Sequence, residues 1–406
     1  MASNDEAERE EKGMGKLWGA AVSRRQLVGL GASLLTAALA GCTPGESKEP
    51  SGISVEQVSG IPATADNVRL IGRTYEEGGV TWLPQSGSAV EFETVGTSIR
   101  IEIAGDESVR KKPGLRPRFA VVVDDEIVMD NTLDVPSCIV EAPLSDSGKR
   151  AVVQVIHLSE AKLGMVGVRS IAASDDEPAQ VTPTAAKDLS IGFVGDSITC
   201  GYGVESSGKD DPFRTTTENF MKSYAYLVAK ELNADYDTAC YSGYGVVSGW
   251  SADGERVGSM LVPPLYDLVT EGHEYKWDFA EHPRDVVVVS LGTNDATYTK
   301  TDEARIEEFT RGYTEFIGQV REYNPDALIV CTLGAMTDCE MLYAPMEQAV
   351  RDHADQTGDT RIVSHLSNSA DIAANGVGTG EHPNEEGQRK IAQELVGIIR
   401  SELQMA

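Results

Sequence analysis

The sequence predicts an antiparallel β domain followed by an open α/β domain, and three observations carry that reading. Residues 68–171 alternate apolar and polar side chains with a period of two, and no helix-period segment interrupts them. From Leu189 onward continuous β-branched runs take over, at Leu189–Val194, Val286–Leu291 and Ala327–Leu333, the pattern of parallel strands covered on both faces. Stretches of helical length accompany them, at Ser223–Leu232, Glu303–Tyr323 and Glu385–Leu403. The 406 residues leave room for two domains, and a 41% hydrophobic content against 24% charged residues supplies apolar material for both cores.

Residues 1–42 read as an export signal. Ser23-Arg24-Arg25-Gln26-Leu27-Val28 is a twin-arginine segment leading into an apolar run, Leu27–Ala40. That run, at about 14 residues, falls short of the roughly 20 that span a bilayer. It ends in Leu39-Ala40-Gly41-Cys42, which resembles a bacterial lipobox. The resemblance implies cleavage before Cys42, lipidation of its thiol and a lipoprotein held at the extracellular face of the cell membrane. Residues 43–60, rich in Pro, Gly, Ser and Glu without an apolar period, are expected to be a disordered tether.

Residues 61–175 form the expected β-sandwich, with strands at Ala89–Glu93, Ser98–Ile103, Phe119–Val123 and Val152–Ile156 separated by Gly, Asp and Ser turns. Residues 176–188, with acids, prolines and small side chains, read as a linker. The α/β domain spans 189–406, and its last helix is signalled by Asn384 as cap with Glu385 and Glu386 in the first turn, where the helix dipole favours negative charge. Five cysteines follow Cys42, namely Cys138, Cys200, Cys240, Cys331 and Cys339, without C-x-x-C spacing. Their odd number leaves at least one unpaired. Cys200 with Cys240 and Cys331 with Cys339 are candidate disulfides, and small buried thiols are the alternative.

The formal charge of -29 sits entirely after the signal, since residues 1–42 hold five acids (Asp5, Glu6, Glu8, Glu10, Glu11) and five bases (Arg9, Lys12, Lys16, Arg24, Arg25). Such a surface repels nucleic acid and other polyanions, so no nucleic-acid partner is expected and a neutral substrate suits it better.

Four blocks carry candidate chemistry. Gly195-Asp196-Ser197-Ile198-Thr199-Cys200-Gly201-Tyr202-Gly203 follows a buried strand directly, placing a serine hydroxyl at the carboxyl edge of the sheet, where clefts of such folds lie. Ser242-Gly243-Tyr244-Gly245 follows a strand expected at Asp237–Cys240, Leu291-Gly292-Thr293-Asn294-Asp295 follows another, and Glu381-His382-Pro383-Asn384 precedes the final helix. Ser and Gly are also ordinary turn formers, so it is the set that signifies. In this order the blocks resemble the SGNH hydrolase superfamily. The first block, with the β-domain opening Val68-Arg69-Leu70-Ile71-Gly72-Arg73, resembles carbohydrate esterase family 2 more particularly.

The resemblance implies a three-layer, flavodoxin-like α/β hydrolase domain behind an antiparallel β-sandwich of jelly-roll type. It implies a serine esterase acting on O-acetyl groups of polysaccharides such as xylan or glucomannan, with acetylated polysaccharide as partner and no metal or organic cofactor. By the same pattern Ser197 is the nucleophile, His382 its base, and the N–H groups of Ser197 and Gly243 with the Asn294 amide form the oxyanion hole. One departure concerns the third triad member. Many relatives carry an acid three residues before the histidine, where this chain has Thr379, or Asp-Trp-His, where it has Gly380-Glu381-His382. Two orienters remain open: Glu381, curling back towards the ring, or a backbone carbonyl.

Outside these blocks, Asp196 and Asp295 read as loop-locking acceptors, and Tyr202, Tyr244 and Trp250 as cleft or core residues. His157, His273, His282, His353 and His365 lack metal-ligand spacing and read as structural or exposed. The long segment 246–283 is a candidate rim. Two other functions compete: a lipase or thioesterase acting on different acyl groups, and an inactive glycan-binding lipoprotein.

Overall fold

The computed structural model describes residues 60–144, 148–173 and 179–405. The export signal, Cys42 and the tether up to residue 59 lie outside the described residues.

The period-two segments fold into two antiparallel sheets. One runs in the order 75–77, 80–83, 166–173, 98–105, 137–143, with 61–62 also pairing onto 166–173. The other runs 181–183, 89–95, 150–157, 118–123, 126–132, with 69–71 pairing onto 89–95. Alternation sends every second side chain inward, so Phe92, Val121, Val153 and Val155 of one sheet meet Leu83, Ile101, Ile103 and Val168 of the other, all fully buried. The stretch read as a linker is partly a strand. Val181–Pro183 pairs with Phe92–Thr94 and closes that edge of the second sheet, an edge position that tolerates a proline.

The α/β domain is built on five parallel strands, β1 (Leu189–Gly195), β2 (Ala234–Cys240), β3 (Val286–Ser290), β4 (Leu328–Leu333) and β5 (Ile362–Leu366), in the order β2-β1-β3-β4-β5. This is the flavodoxin-like order, whose switch point lies between β1 and β3. Neighbouring residues of a strand face opposite layers. Val287 and Val289 pack with Phe309, Phe316 and Met346 of the helices Glu303–Tyr323 and Tyr343–Thr357. Val286 and Val288 pack with Val228, Ile391, Leu395 and Ile399 of the helices Tyr224–Glu231 and Glu385–Glu402.

Sandwich and sheet do not separate, because the described residues of both belong to one compact unit. Ala89, Ala120, Val122 and Ile156, on the outer face of the second sandwich sheet, enter the same core cluster as Phe193, Phe220 and Tyr236. Edge strand β2 is tied to sandwich residues 85–88 through Thr238 Oγ1 to Ser86 O (2.6 Å) and Tyr236 OH to Gly87 O (2.9 Å). Arg73 of the sandwich is 1% exposed; its Nε meets Asp237 Oδ1 at 3.1 Å and its Nη1 donates to the carbonyls of Tyr266 and Leu268, each at 2.6 Å. Arg284 pairs with the other oxygen of Asp237.

All five described cysteines carry free thiols, so neither candidate disulfide forms. Burial alone accounts for Cys200, Cys240, Cys331 and Cys339.

Candidate active site

Three of the four sequence blocks sit at the same level of the sheet. Gly195 at the end of β1 pairs with Cys240 of β2 and Ser290 of β3, so the residues that follow each strand emerge side by side at the carboxyl edge. Ser197 opens the helical turn Ser197–Cys200. Asp196 caps that turn by accepting the N–H of Ile198 at 3.0 Å. Gly201 ends it with φ +81°, where a side chain would be strained and its Cβ would stand 2.6 Å from Asn219 O.

The fourth block arrives from the far end of the chain. Asn384 caps the final helix by accepting the N–H of Gly387 at 3.0 Å. Gln388, in the first turns of that helix, donates to Ile198 O at 3.0 Å and accepts the N–H of Tyr224 at 2.8 Å, locking the helix to the serine turn. The loop before the helix is pinned as well, by Thr379 N–H to Ser206 Oγ at 2.6 Å and Gly378 N–H to His382 O at 2.8 Å.

These ties bring His382 Nε2 to 2.7 Å from Ser197 Oγ. The other ring nitrogen, Nδ1, stands 2.9 Å from the carbonyl oxygen of Thr379. A carbonyl can only accept, so Nδ1 carries the proton and Nε2 is left as the acceptor of the serine O–H. Burial holds the ring well below its ordinary pKa, at about 4. Tyr202 packs against the ring with centroids 4.5 Å apart and itself stacks on Phe213 at 4.2 Å.

Glu381 does not orient the histidine. Its backbone is left-handed, φ +66°, which turns the side chain away, and its carboxylate meets Lys209 Nζ at 2.9 Å on the exposed rim. The Thr379 carbonyl occupies the orienting position instead.

Of the oxyanion-hole candidates, Ser197 and Asn294 line the same cleft, and Gly243 lies on the loop that follows β2. Asn294 is 6% exposed in the helix Thr293–Thr299, and its Nδ2 donates to Asp196 Oδ2 (3.1 Å) and to Tyr244 O (2.8 Å). Gly243 follows β2 with φ +82°. Asp295, fully buried, accepts the N–H groups of Val246, Val247 and Ser248 at 2.7–3.1 Å and so fixes the loop beyond Gly243. Burial, with the nearby Asp295 carboxylate, pushes Asp196 up to about 7.

Ser197, Asn294 and His382 open on a cleft of about 400 Å³ whose other walls include Lys209, Asp210, Trp250, Thr293, Thr297 and Met336. Trp250, half exposed, belongs to the long 246–283 segment, so part of that segment forms the rim. Tyr244, by contrast, is buried with its hydroxyl on Glu271 at 2.6 Å. The remaining histidines have local partners: Ser159 for His157, Trp277 for His282, Asp359 for His353, Glu394 for His365, and the Tyr75 ring beside His273. Sequence reasoning missed Thr379 as the specific acceptor and Gln388 as a tie. No side-chain signal marks the first, because the acceptor is main chain.

The family model of the GDSL-like lipases/acylhydrolases matches residues 193–390, the span from β1 into the last helix. The cellulase/esterase CelE of Acetivibrio thermocellus is 29% identical over 326 residues, 78% of this chain but 37% of that protein, so the chain spans about a third of this relative's length. An acetylxylan esterase/glucomannan deacetylase of Cellvibrio japonicus is 25% identical over 351 residues, 84% of this chain and 90% of that one. Among solved structures, a family two carbohydrate esterase from Clostridium thermocellum in complex with cellohexaose superposes with a TM-score of 0.72 at 24% identity, covering 84% of this chain and 100% of that one. An acetyl xylan esterase from the rumen bacterium Butyrivibrio proteoclasticus gives 0.75 at 19% identity, covering 84% and 98%. Both share the fold, sandwich included. Four blocks converging on one sheet edge, a GDSL-like match over the α/β domain and a shared two-part fold together make this chain similar to the GDSL-like (SGNH) hydrolases, and to the carbohydrate esterases of family 2 in particular.

Proposed function

We infer that the protein is a serine esterase that removes acetyl groups from polysaccharides of the xylan or glucomannan kind. The observation that carries this reading is the 2.7 Å contact between Ser197 Oγ and an imidazole whose other nitrogen is bound to a main-chain carbonyl. His382 Nε2 takes the serine proton as Oγ attacks the acetyl carbonyl. The tetrahedral oxygen draws on the N–H groups of Ser197 and Gly243 and on Asn294 Nδ2, which releases its longer bond to Asp196. His382 then hands the proton to the departing sugar oxygen. Water, deprotonated by the same ring, hydrolyses the acetyl-enzyme and frees acetate.

The cleft suits a sugar ester, because its lining sets the polar side chains Lys209, Asp210, Thr293, Asn294 and Thr297 beside the apolar Trp250 and Met336. A half-exposed indole beside polar groups suits a pyranose ring, which presents an apolar face and hydroxyl edges. The names of the curated relatives, acetylxylan esterase and glucomannan deacetylase, support the same substrate class. Export by the twin-arginine segment and anchoring through lipidated Cys42 would place the enzyme outside the cell, where such polymers are found. Labelling with a fatty-acid probe, present in the full chain and absent from Cys42→Ala, is the expected outcome for the anchor.

Acetate release from a panel of acetylated glycans tests the activity. Release from acetylated xylan or glucomannan by the wild type, none by Ser197→Ala, and little turnover of p-nitrophenyl esters beyond about four carbons is expected. Preference for long-chain esters would point to a lipase. No release from any glycan would leave the inactive glycan-binding lipoprotein.

A further inference from the structure

The β-sandwich reaches the candidate oxyanion loop with two side chains of opposite charge. Glu160 and Lys162 lie on the connection between strands 150–157 and 166–173, with Lys162 in the short turn Ala161–Leu163. Glu160 Oε2 accepts the N–H of Ser242 at 3.0 Å, and Lys162 Nζ donates to the carbonyl of Ser242 at 2.9 Å. Ser242 is thus held at both main-chain polar atoms by residues of the other domain. The clamp is itself built in. Glu160 is 3% exposed, its own N–H is accepted by Glu218 Oε2 at 3.1 Å, and the Lys162 ammonium lies 4.7 Å from the centre of the Tyr244 ring.

The carbonyl of Ser242 and the N–H of Gly243 belong to one peptide group. A trans peptide is planar, so the two point in opposite directions, and holding the carbonyl orients the N–H. Orientation is not given for free here, because a glycine at φ +82° has wide backbone freedom. On its other side Gly243 is held by Trp250 N–H, which donates to the Gly243 carbonyl at 2.8 Å. Among the described residues no acceptor meets the Gly243 N–H, as a donor kept for substrate requires. An ammonium on the carbonyl also polarises the amide and strengthens its N–H as a donor.

We propose that Lys162, assisted by Glu160, is a positioning residue for the oxyanion hole, locking the Ser242–Gly243 peptide so that its N–H faces the reacting carbonyl; the assignment rests on the esterase reading above. It gives the sandwich a part in the chemistry as well as in folding.

Lys162→Met tests it in the full chain, since methionine keeps an apolar stem beside Tyr244 and removes the donor and the charge. With p-nitrophenyl acetate, kcat is expected to fall about 10- to 100-fold, less than the roughly 10²- to 10³-fold that outright loss of an oxyanion donor costs, with KM within about twofold. Inactivation by a p-nitrophenyl alkylphosphonate, whose P–O⁻ mimics the tetrahedral oxygen, should slow by a similar factor. Lys162→Arg, which restores donor and charge, should recover most of kcat. Unchanged kcat and inactivation in folded Lys162→Met, or a loss carried by KM alone, would overturn the assignment. Should Lys162→Met not fold, Lys162→Gln decides, because its amide stops one atom short of the carbonyl; unchanged kcat there overturns the proposal equally. Wild-type activity abolished by Ser197→Ala yet intact in the Lys162 variants sinks only this assignment, whereas a wild type inert on every acetyl ester sinks the esterase reading itself.

Discussion

The dyad makes a quantitative claim about pH. His382 works as a base only when neutral, and among the described residues no carboxylate partners its Nδ1, since that partner is the Thr379 carbonyl and the Glu381 carboxylate is engaged by Lys209. Burial therefore acts without an opposing carboxylate and holds the ring at about 4. At pH 5 such a ring is roughly 90% neutral, whereas one with the ordinary value of about 6.5 would be roughly 3% neutral, a difference of about 30-fold in competent enzyme. The assay is the pH profile of kcat/KM on a small acetyl ester, which reports the free enzyme. Its acid limb is expected near pH 4. A limb at 6.5 or above would refute the reasoning, because it would require a carboxylate on the ring that the structure does not place there. Thr379→Asp supplies such a charge three residues before the histidine and is expected to raise the limb by roughly one to three pH units. Stability follows the same sign. His382 and His157 are both held at about 4 in the folded chain, so the unfolded chain binds more protons between about pH 4 and 6.5. Stability is lost as pH falls through that window.

Other substitutions separate the parts of the account. Asn294→Ala should lower kcat by about 10²–10³ with little change in KM, measured on the same ester; a change confined to KM would count against an oxyanion role. Glu381→Gln should leave both kcat/KM and the acid limb unmoved, since its carboxylate meets only an exposed lysine on the rim, and a shifted limb would reinstate it as the orienter. Arg73→Met should cost about 3–5 kcal/mol in urea unfolding, because it strips one partner from buried Asp237 and leaves two carbonyls without their donor. Unfolding is expected to remain a single transition; a sandwich that melts by itself, or a cost below about 1 kcal/mol, would contradict the shared core.

What could be read from the sequence was whatever physics writes locally. Alternation at residues 89–93 and 152–156 gave strands because one face of each is buried, and the apolar runs at 189, 286 and 327 gave parallel strands because both faces are. The Asn384 cap and the helix behind it were legible for the same reason. The serine, glycine, asparagine and histidine blocks stood out because each follows or precedes such an element, and the structure brings Ser197 and His382 together across 185 residues. Long-range pairings escaped. Arg73 finds Asp237 across 164 positions, and Lys162 finds Ser242 across 80, with no periodicity linking the partners. Val181–Pro183 hid as linker because a three-residue edge strand carries too little alternation to register. The histidine's orienter was ambiguous in sequence because main-chain acceptors exist at every residue, and only the fold selects the one at Thr379. The candidate disulfides Cys200–Cys240 and Cys331–Cys339 failed for a related reason, since spacing along a chain does not say whether two thiols are there to pack or to pair.

The central claim is that Ser197 becomes acetylated and His382 drives that step. Acid-quenching the wild type during turnover of an activated acetyl ester, digesting it and locating the added acetyl group by mass spectrometry tests this at the atom concerned. The label is expected on the peptide carrying Ser197, absent in Ser197→Ala and greatly slowed in His382→Ala. Turnover with no label on Ser197, or a label formed at the wild-type rate without His382, would contradict it.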